Sequence, residues 1–343
     1  MGRKGFATAL IVLLAGLFLV GTMASDLTAA SASRPLPKLV TIATTTPGST
    51  LAIFADGLSK VVSNRTEMSP RVQSFSSYVT YTPMLNAGDL EMGVTVSTEG
   101  LYAWKGLEPY KKNRNIRLIM AGPDLLTAYI ATKASGIRTV RDLKGKRVSL
   151  VVTLATMKEW GEAQLKAAGL EPEKDTVLVR SSSPNESIQA LMDNRADAVQ
   201  AGPAMPKARE ADAQLGGIYV LPAATTEQEK RELLKLLPGY RITTVKAGRY
   251  PGVPADLPTL ARPIYLVAAK EFPAQAAYAV VKATWEHHSD LLPVHPMFRG
   301  WPPQDMVAPD ATVPYHEGVI RYFKERGVWT AEMERIQQAL FKD

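Results

Sequence analysis

Between Leu39 and Val62 the chain changes its hydrophobic period twice. Residues 39–43 (Leu-Val-Thr-Ile-Ala) read as a short buried strand. Residues 44–50 are a polar loop containing Pro47 and Gly48, and Leu51, Phe54, Leu58, Val61 and Val62 then recur at helical spacing. Strand, small polar loop and helix in that order suit an anion, because the free N–H groups of the helix's first turn point into the loop. Any doubly wound fold contains such turns, so this one alone identifies nothing. A second pattern occurs twice: residues 83–94 and 190–199 both run from a helix end through a tight turn and an acidic-apolar-acidic step into a strand. The second copy is introduced by Ser183-Pro184-Asn185-Glu186, a capping box with proline at the first helical position. The repetition predicts two similar α/β halves about a hundred residues apart.

Each half opens with a short strand, at 39–43 and at 147–152. Ligands in such sheets bind beyond the carboxyl ends of the strands, so two halves facing each other place an interlobe ligand cleft there. Extended apolar stretches near 125–133 and 257–270 cross between the halves, and two crossings suit hinge closure. The predicted organisation has lobe 1 at 38–125 and 262–343, lobe 2 at 134–250, and hinge crossovers at 126–133 and 251–261. A long helix is expected from Pro273, with Ala277, Val280, Val281, Thr284, Trp285, His288, Leu291 and Leu292 on one face, and a final helix from Pro314 to Glu325.

At the N-terminus Arg3 and Lys4 precede an uncharged stretch from Phe6 to Val20 and then small residues around Ala24. This reads as a secretory signal peptide over 1–24, or as an uncleaved anchor, followed by a tether over 25–37 rich in Ser, Ala and Pro. Either reading puts the remainder outside the cytoplasm, in the periplasm, membrane-anchored if the segment is uncleaved. The absence of cysteine removes disulfides, thiolate metal sites and cysteine nucleophiles. The formal charge of +7 comes from basic residues spread along the chain, with Arg114/Arg117 and Lys144/Lys146/Arg147 as the tight clusters. Nucleic-acid binding would need clustering on one element with interleaved aromatics, so no nucleic-acid partner is expected.

The four histidines are His287, His288, His295 and His316, and adjacent helical histidines diverge by about 100 degrees, so no metal site is expected. His288 reads as core-flanking and His316 as structural. Nucleophile-elbow, Walker and dinucleotide glycine patterns are all missing, which argues against an enzyme and against a bound cofactor. The polar residues at predicted strand ends are the binding candidates. Thr45, Thr46 and Ser49 either contact a ligand or satisfy their own turn. Ser76, Ser77, Ser97 and Thr98 stand at analogous ends, and Thr153, Thr156 and Gln200 face the cleft from the second half. Glu99 is a solvated loop acid or the partner of a ligand amine. Arg180 and Arg262 compete as the carboxylate clamp, with surface ion pairs as the alternative for both. Trp104 is the tryptophan nearest a predicted cleft loop.

The segments at 139–148 (Thr-Val-Arg-Asp-Leu-Lys-Gly-Lys-Arg-Val), 88–93 (Gly-Asp-Leu-Glu-Met-Gly) and 313–323 (Val-Pro-Tyr-His-Glu-Gly-Val-Ile-Arg-Tyr-Phe) resemble the TAXI class of solute receptors for tripartite (TRAP) transporters, over about 38–328. The resemblance implies an α/β, type II periplasmic binding-protein fold and a small carboxylate ligand, often an amino acid. It also implies membrane permease subunits as partners, and a monomeric receptor is expected. A sensor for a membrane kinase and a secreted hydrolase are the rival classes. The chain departs from the family pattern where paired glycines and Tyr-Tyr are usual, having Ser49, Leu51 and Ala52. It departs again where Gln-Ser-Asp is usual, having Val96-Ser97-Thr98. An ammonium group needs acceptors when buried, so these losses predict a carboxylate without an amine. Leu154 and Met157 lean the pocket towards apolar acids.

Overall fold

The structure is a computed structural model that describes residues 36–153 and 155–342. The expected signal segment at 1–24, most of the tether at 25–37, and Leu154 lie outside the described residues. Pro37–Asp343 form one compact unit.

The first half runs β1 (Leu39–Thr44), α1 (Thr50–Arg65), β2 (Ser69–Ser74), α2 (Tyr78–Ala87), β3 (Met92–Val96), α3 (Ser97–Lys105) and β4 (Ile116–Thr132). The second runs β5 (Arg147–Val151), α4 (Ala155–Ala167), α5 (Pro172–Asp175), β6 (Val177–Ser181), α6 (Pro184–Met192), β7 (Ala198–Ala201), α7 (Pro206–Gln214), β8 (Ile218–Val220), α8 (Glu227–Leu236) and β9 (Arg241–Val245). The chain returns through β10 (Leu257–Ala269) and ends in α9 (Ala274–Glu286), α10 (Glu317–Glu325) and α11 (Ala331–Lys342).

Ten strands form one sheet: eight follow the path β2-β1-β3-β10-β4-β7-β5-β6, and off it β8 pairs with β4 and β9 with β10. In the first half β1 lies parallel between β2 and β3, and β10 closes the set antiparallel to β3. In the second half β5 lies parallel between β6 and β7, and β4 closes it antiparallel to β7. Each half thus borrows its antiparallel strand from a long strand that belongs to both. β4 and β10 pair along most of their length, with breaks in register between Pro263 and Tyr265 and between Leu266 and Val267. Two long strands side by side form a narrow connection, the geometry that hinge bending requires.

The repeated sequence pattern is a repeated piece of structure. Gly88 ends α2 at φ +81° and Asn194 follows α6 at φ +55°, both in the left-handed region that releases a helix into a strand. Three residues later, Glu91 accepts from the Thr41 amide at 2.8 Å, and Asp197 accepts from the Arg147 amide, also at 2.8 Å. In both halves an acid at the foot of the third strand thereby pins the first strand's backbone.

The core of the first half holds Phe54, Phe298 and Trp301 in mutual ring contact at 5.7–6.2 Å. In the second, Trp160 and Tyr129 meet edge to face over the β4–β5 surface. Two sequence expectations change at the C-terminus. The helix begun at Ala274 stops at Glu286, and His288–Leu291 continue as a 3-10 turn, which buries Leu291 and leaves Leu292 exposed. Pro314 and Tyr315 are not helical, because Leu118 exchanges backbone hydrogen bonds with Pro314 and His316 alongside β4, and the Tyr315 backbone bonds the Gln337 side chain. The helix therefore starts at Glu317 with His316 as its cap, its Nδ1 accepting from the Gly318 amide at 3.2 Å. A further helix, α11, follows where none was expected.

Candidate functional site

The carboxyl end of β3, with the start of α3, meets α4 and the segment after α8 across the β4–β10 connection, and the predicted residues divide according to what already holds them. Ser49 is the N-cap of α1: its Oγ accepts from the Ala52 amide at 3.1 Å and lies 3.2 Å from the Thr45 Oγ1. Thr46 is exposed in the same loop, its carbonyl accepting from the Ser49 amide at 3.1 Å. Ser76 and Ser77 both share hydrogen bonds with Thr80 at the start of α2. Their hydroxyls meet their own turn, as polar residues at helix starts do.

Ser97, Thr98 and Glu99 are buried where β3 passes into α3. Ser97 Oγ donates to the Gly239 carbonyl at 2.8 Å, a bond from the first half to the segment between α8 and β9. Thr98 Oγ1 lies 3.5 Å from Arg262 Nη1, and the Arg262 guanidinium stands 5.4 Å from the centre of the Tyr240 ring. Glu99, 5% exposed, accepts from the Tyr110 hydroxyl. One turn further along α3, Tyr102 donates to Glu159 of α4, a second bond between the halves. The Tyr240 hydroxyl donates to the Thr156 carbonyl at 3.3 Å.

Arg262 is the centre of this group. It is 6% exposed, and its Nε has no hydrogen-bond partner. Burial by itself lowers its affinity for the proton, but the groups packed around it, Glu99 among them, outweigh that and leave it firmly charged. The hydroxyls of Tyr78, Tyr110 and Tyr240 titrate above the ordinary range, chiefly because burial disfavours the phenolate, so they remain neutral donors. A buried cation with an unused N–H, walled by tyrosines, can take an oxyanion in charge-assisted bonds without opening any existing pair.

Other predicted residues fall outside this group. Gln200 is buried with its amide committed inside the second half: Oε1 accepts from the Val151 amide at 2.6 Å, and Nε2 donates to the Met157 carbonyl at 2.8 Å. Thr153 is exposed and donates to the Ser182 carbonyl at 2.6 Å. Arg180 lies on the outer strand β6, exposed, 3.9 Å from Glu173. Of the two competing arginines, then, the one on the shared strand joins the cluster and the other takes the surface pair. Trp104 is turned away from the cleft: its Nε1 donates to the Leu340 carbonyl at 3.1 Å, against the C-terminal helix. The tyrosines were missed because no spacing marks them. A tyrosine after Ser-Ser at a helix start, and another after Pro-Gly before a strand, were the available signals. Among the described residues no cluster of histidines and carboxylates fits a metal ion, and no helix is long and apolar enough to cross a membrane.

A family model described as the NMT1-like family matches residues 42–327. Among solved structures, PhnD1 from Prochlorococcus marinus in complex with methylphosphonate superposes with a TM-score of 0.52 at 11% identity, covering 85% of this chain and 99% of that one. A structure described as a periplasmic transporter gives 0.53 at 12% identity, covering 89% and 96%. The fold is the α/β fold of two-lobed periplasmic binding proteins.

Proposed function

Because the chain belongs to the NMT1-like family, we propose that it is an extracytoplasmic receptor that closes on a small organic anion lacking an amine and delivers it to a TRAP-type membrane permease. The observation that carries the reading is Arg262, a buried guanidinium with an unbonded Nε between the two halves. We assign lobe 1 to 38–125 and 262–343 and lobe 2 to 134–250, with the chain crossing at 126–133 and 251–261. The TAXI-like segments support the permease as partner, and binding without turnover is the expected behaviour. Thr98 and the Tyr78 hydroxyl complete the anion's shell beside Arg262, while the hydroxyls of Thr45 and Ser49 stand at the opening of α1.

A second reading, an amino-acid ligand, is favoured by one observation: Glu99 is buried in the same cluster and, among the described residues, accepts from the Tyr110 hydroxyl alone. A ligand ammonium would find there the acid that Val96 and Thr98 do not supply. Calorimetry with keto acids, aromatic acids, alkyl phosphonates and sulfonates, and the amino acids glutamate and glutamine separates the two. Binding of amine-free anions that persists in Glu99→Gln supports the proposal. Tight binding of an amino acid that Glu99→Gln abolishes overturns it in favour of the second reading, and hydrolysis of an ester or amide panel overturns both.

A further inference from the structure

We propose that the turn following α3, together with the end of α11, forms a docking face for an anionic lipid surface. The run from Lys105 to Arg117 carries five basic residues and one acid, Glu108. Lys111 and Lys112 are exposed, and among the described residues neither they nor Arg114 and Arg117 meet a carboxylate within ion-pair distance. The two arginines are held in place. Arg114 stacks 4.4 Å over the Trp104 ring, while Arg117 lies 5.1 Å over Phe341 and donates to the Arg114 and Ile116 carbonyls at 2.9 and 2.8 Å. Glu271, the acid that attracts Arg117, is 3.5 Å from Lys270. The backbone makes the turn compact: Asn113 donates to the Ala103 carbonyl at 2.7 Å, and Lys112 packs so closely on Gly106 that a Cβ there would lie 2.8 Å from it.

Two large apolar side chains stand exposed within this basic surface, Leu107 at 42% and Phe341 at 51%. Phe341 touches Trp104 and Arg117, so the apolar and basic groups are interleaved. That mixture decides the occupant. A protein partner would want its charges at the rim and few at the centre of the contact. The boundary of headgroups and acyl chains accepts lysine and arginine beside leucine and phenylalanine at the same depth.

The test is sedimentation of the compact unit Pro37–Asp343, which holds the whole sheet, with vesicles rich in phosphatidylglycerol or made of phosphatidylcholine alone. The expected result is partition onto the anionic vesicles about tenfold or more above the neutral ones, falling with added salt. Lys111→Glu/Lys112→Glu should lose about tenfold. Leu107→Ser/Phe341→Ser should lose about threefold or more, while Lys166→Glu/Lys235→Glu, the same charge change on α4 and α8, stays within about twofold. Matching thermal melts keep the variants comparable. Equal partition on both vesicles, or an equal loss in the α4/α8 variant, overturns the proposal. So does an unchanged partition in the leucine–phenylalanine variant, which would leave only nonspecific attraction by net charge.

Discussion

Ser97 and Gly239 are joined across the cleft by a single hydrogen bond, Oγ to carbonyl at 2.8 Å, one turn of α3 away from the Tyr102–Glu159 bond. Helix α3 thus carries at its start the residues that face Arg262, and beside them the contacts that hold the two halves together. Whatever orders Thr98 and Glu99 also orders the closing contacts, because all lie on the first turns of one short helix.

Removing these closing contacts should therefore open the protein. Ser97→Ala and Tyr102→Phe each delete one hydrogen bond that exists only when the halves meet, at about 1–2 kcal/mol. The ratio of closed to open molecules should fall about tenfold for 1.4 kcal/mol. Small-angle scattering of the double variant should show a larger radius of gyration than the unaltered chain. An identical radius in both would mean that these bonds do not govern closure.

Arg262→Met should abolish tight anion binding while the chain still folds. Truncating one partner of a buried charge pair costs about 2–5 kcal/mol of binding, a loss of roughly 30-fold or more. Arg180→Met, on the outer strand, should change affinity by less than about twofold because that side chain is exposed. Calorimetry on the two variants side by side distinguishes a clamp from a general effect of positive charge.

The acid limb of stability should depend on Asp197. Hydrogen bonds from the Arg147 side chain, reinforced by its amide, hold this carboxyl below its ordinary value of 3.8. A depressed folded pKa contributes stability that is fully present above the unfolded value and is lost as pH falls through the folded one. The loss should thus begin near pH 5 and deepen below 3.8. Asp197→Asn should flatten that part of a urea-midpoint profile, while the slope above pH 6 stays as in the unaltered chain.

Gly88→Ala should destabilise by about 1–2 kcal/mol, because a Cβ at φ +81° strains the backbone although nothing lies within 4 Å of it. Asn194→Gly, at the matching position of the other half, should be neutral or slightly stabilising. A lower urea midpoint for Gly88→Ala with no fall for Asn194→Gly is expected, and equal destabilisation by both would break the equivalence of the two turns.

Much of the architecture was determined by local sequence. The change from strand to helical period at Thr44–Leu51, the capping box at Ser183–Glu186 and the twin turns at Gly88 and Asn194 are short-range signals. Their chemistry acts within a few residues, so the α/β order and the repetition of halves were legible. The C-terminus was less so: Pro314 and His316 satisfy their backbone on Leu118, almost two hundred positions away, and no local propensity reports such a partner. The site followed the same division. Ser97, Thr98 and Glu99 were legible as candidates because strand ends in such folds bear ligands. Which arginine is buried between the halves was a question of tertiary structure, since Arg180 and Arg262 both follow apolar strand residues and are chemically identical. The fold places one on an outer edge against Glu173 and the other on the strand shared by both halves, under Tyr240. Burial and an unsatisfied Nε belong to that placement, because they depend on what other parts of the chain bring alongside.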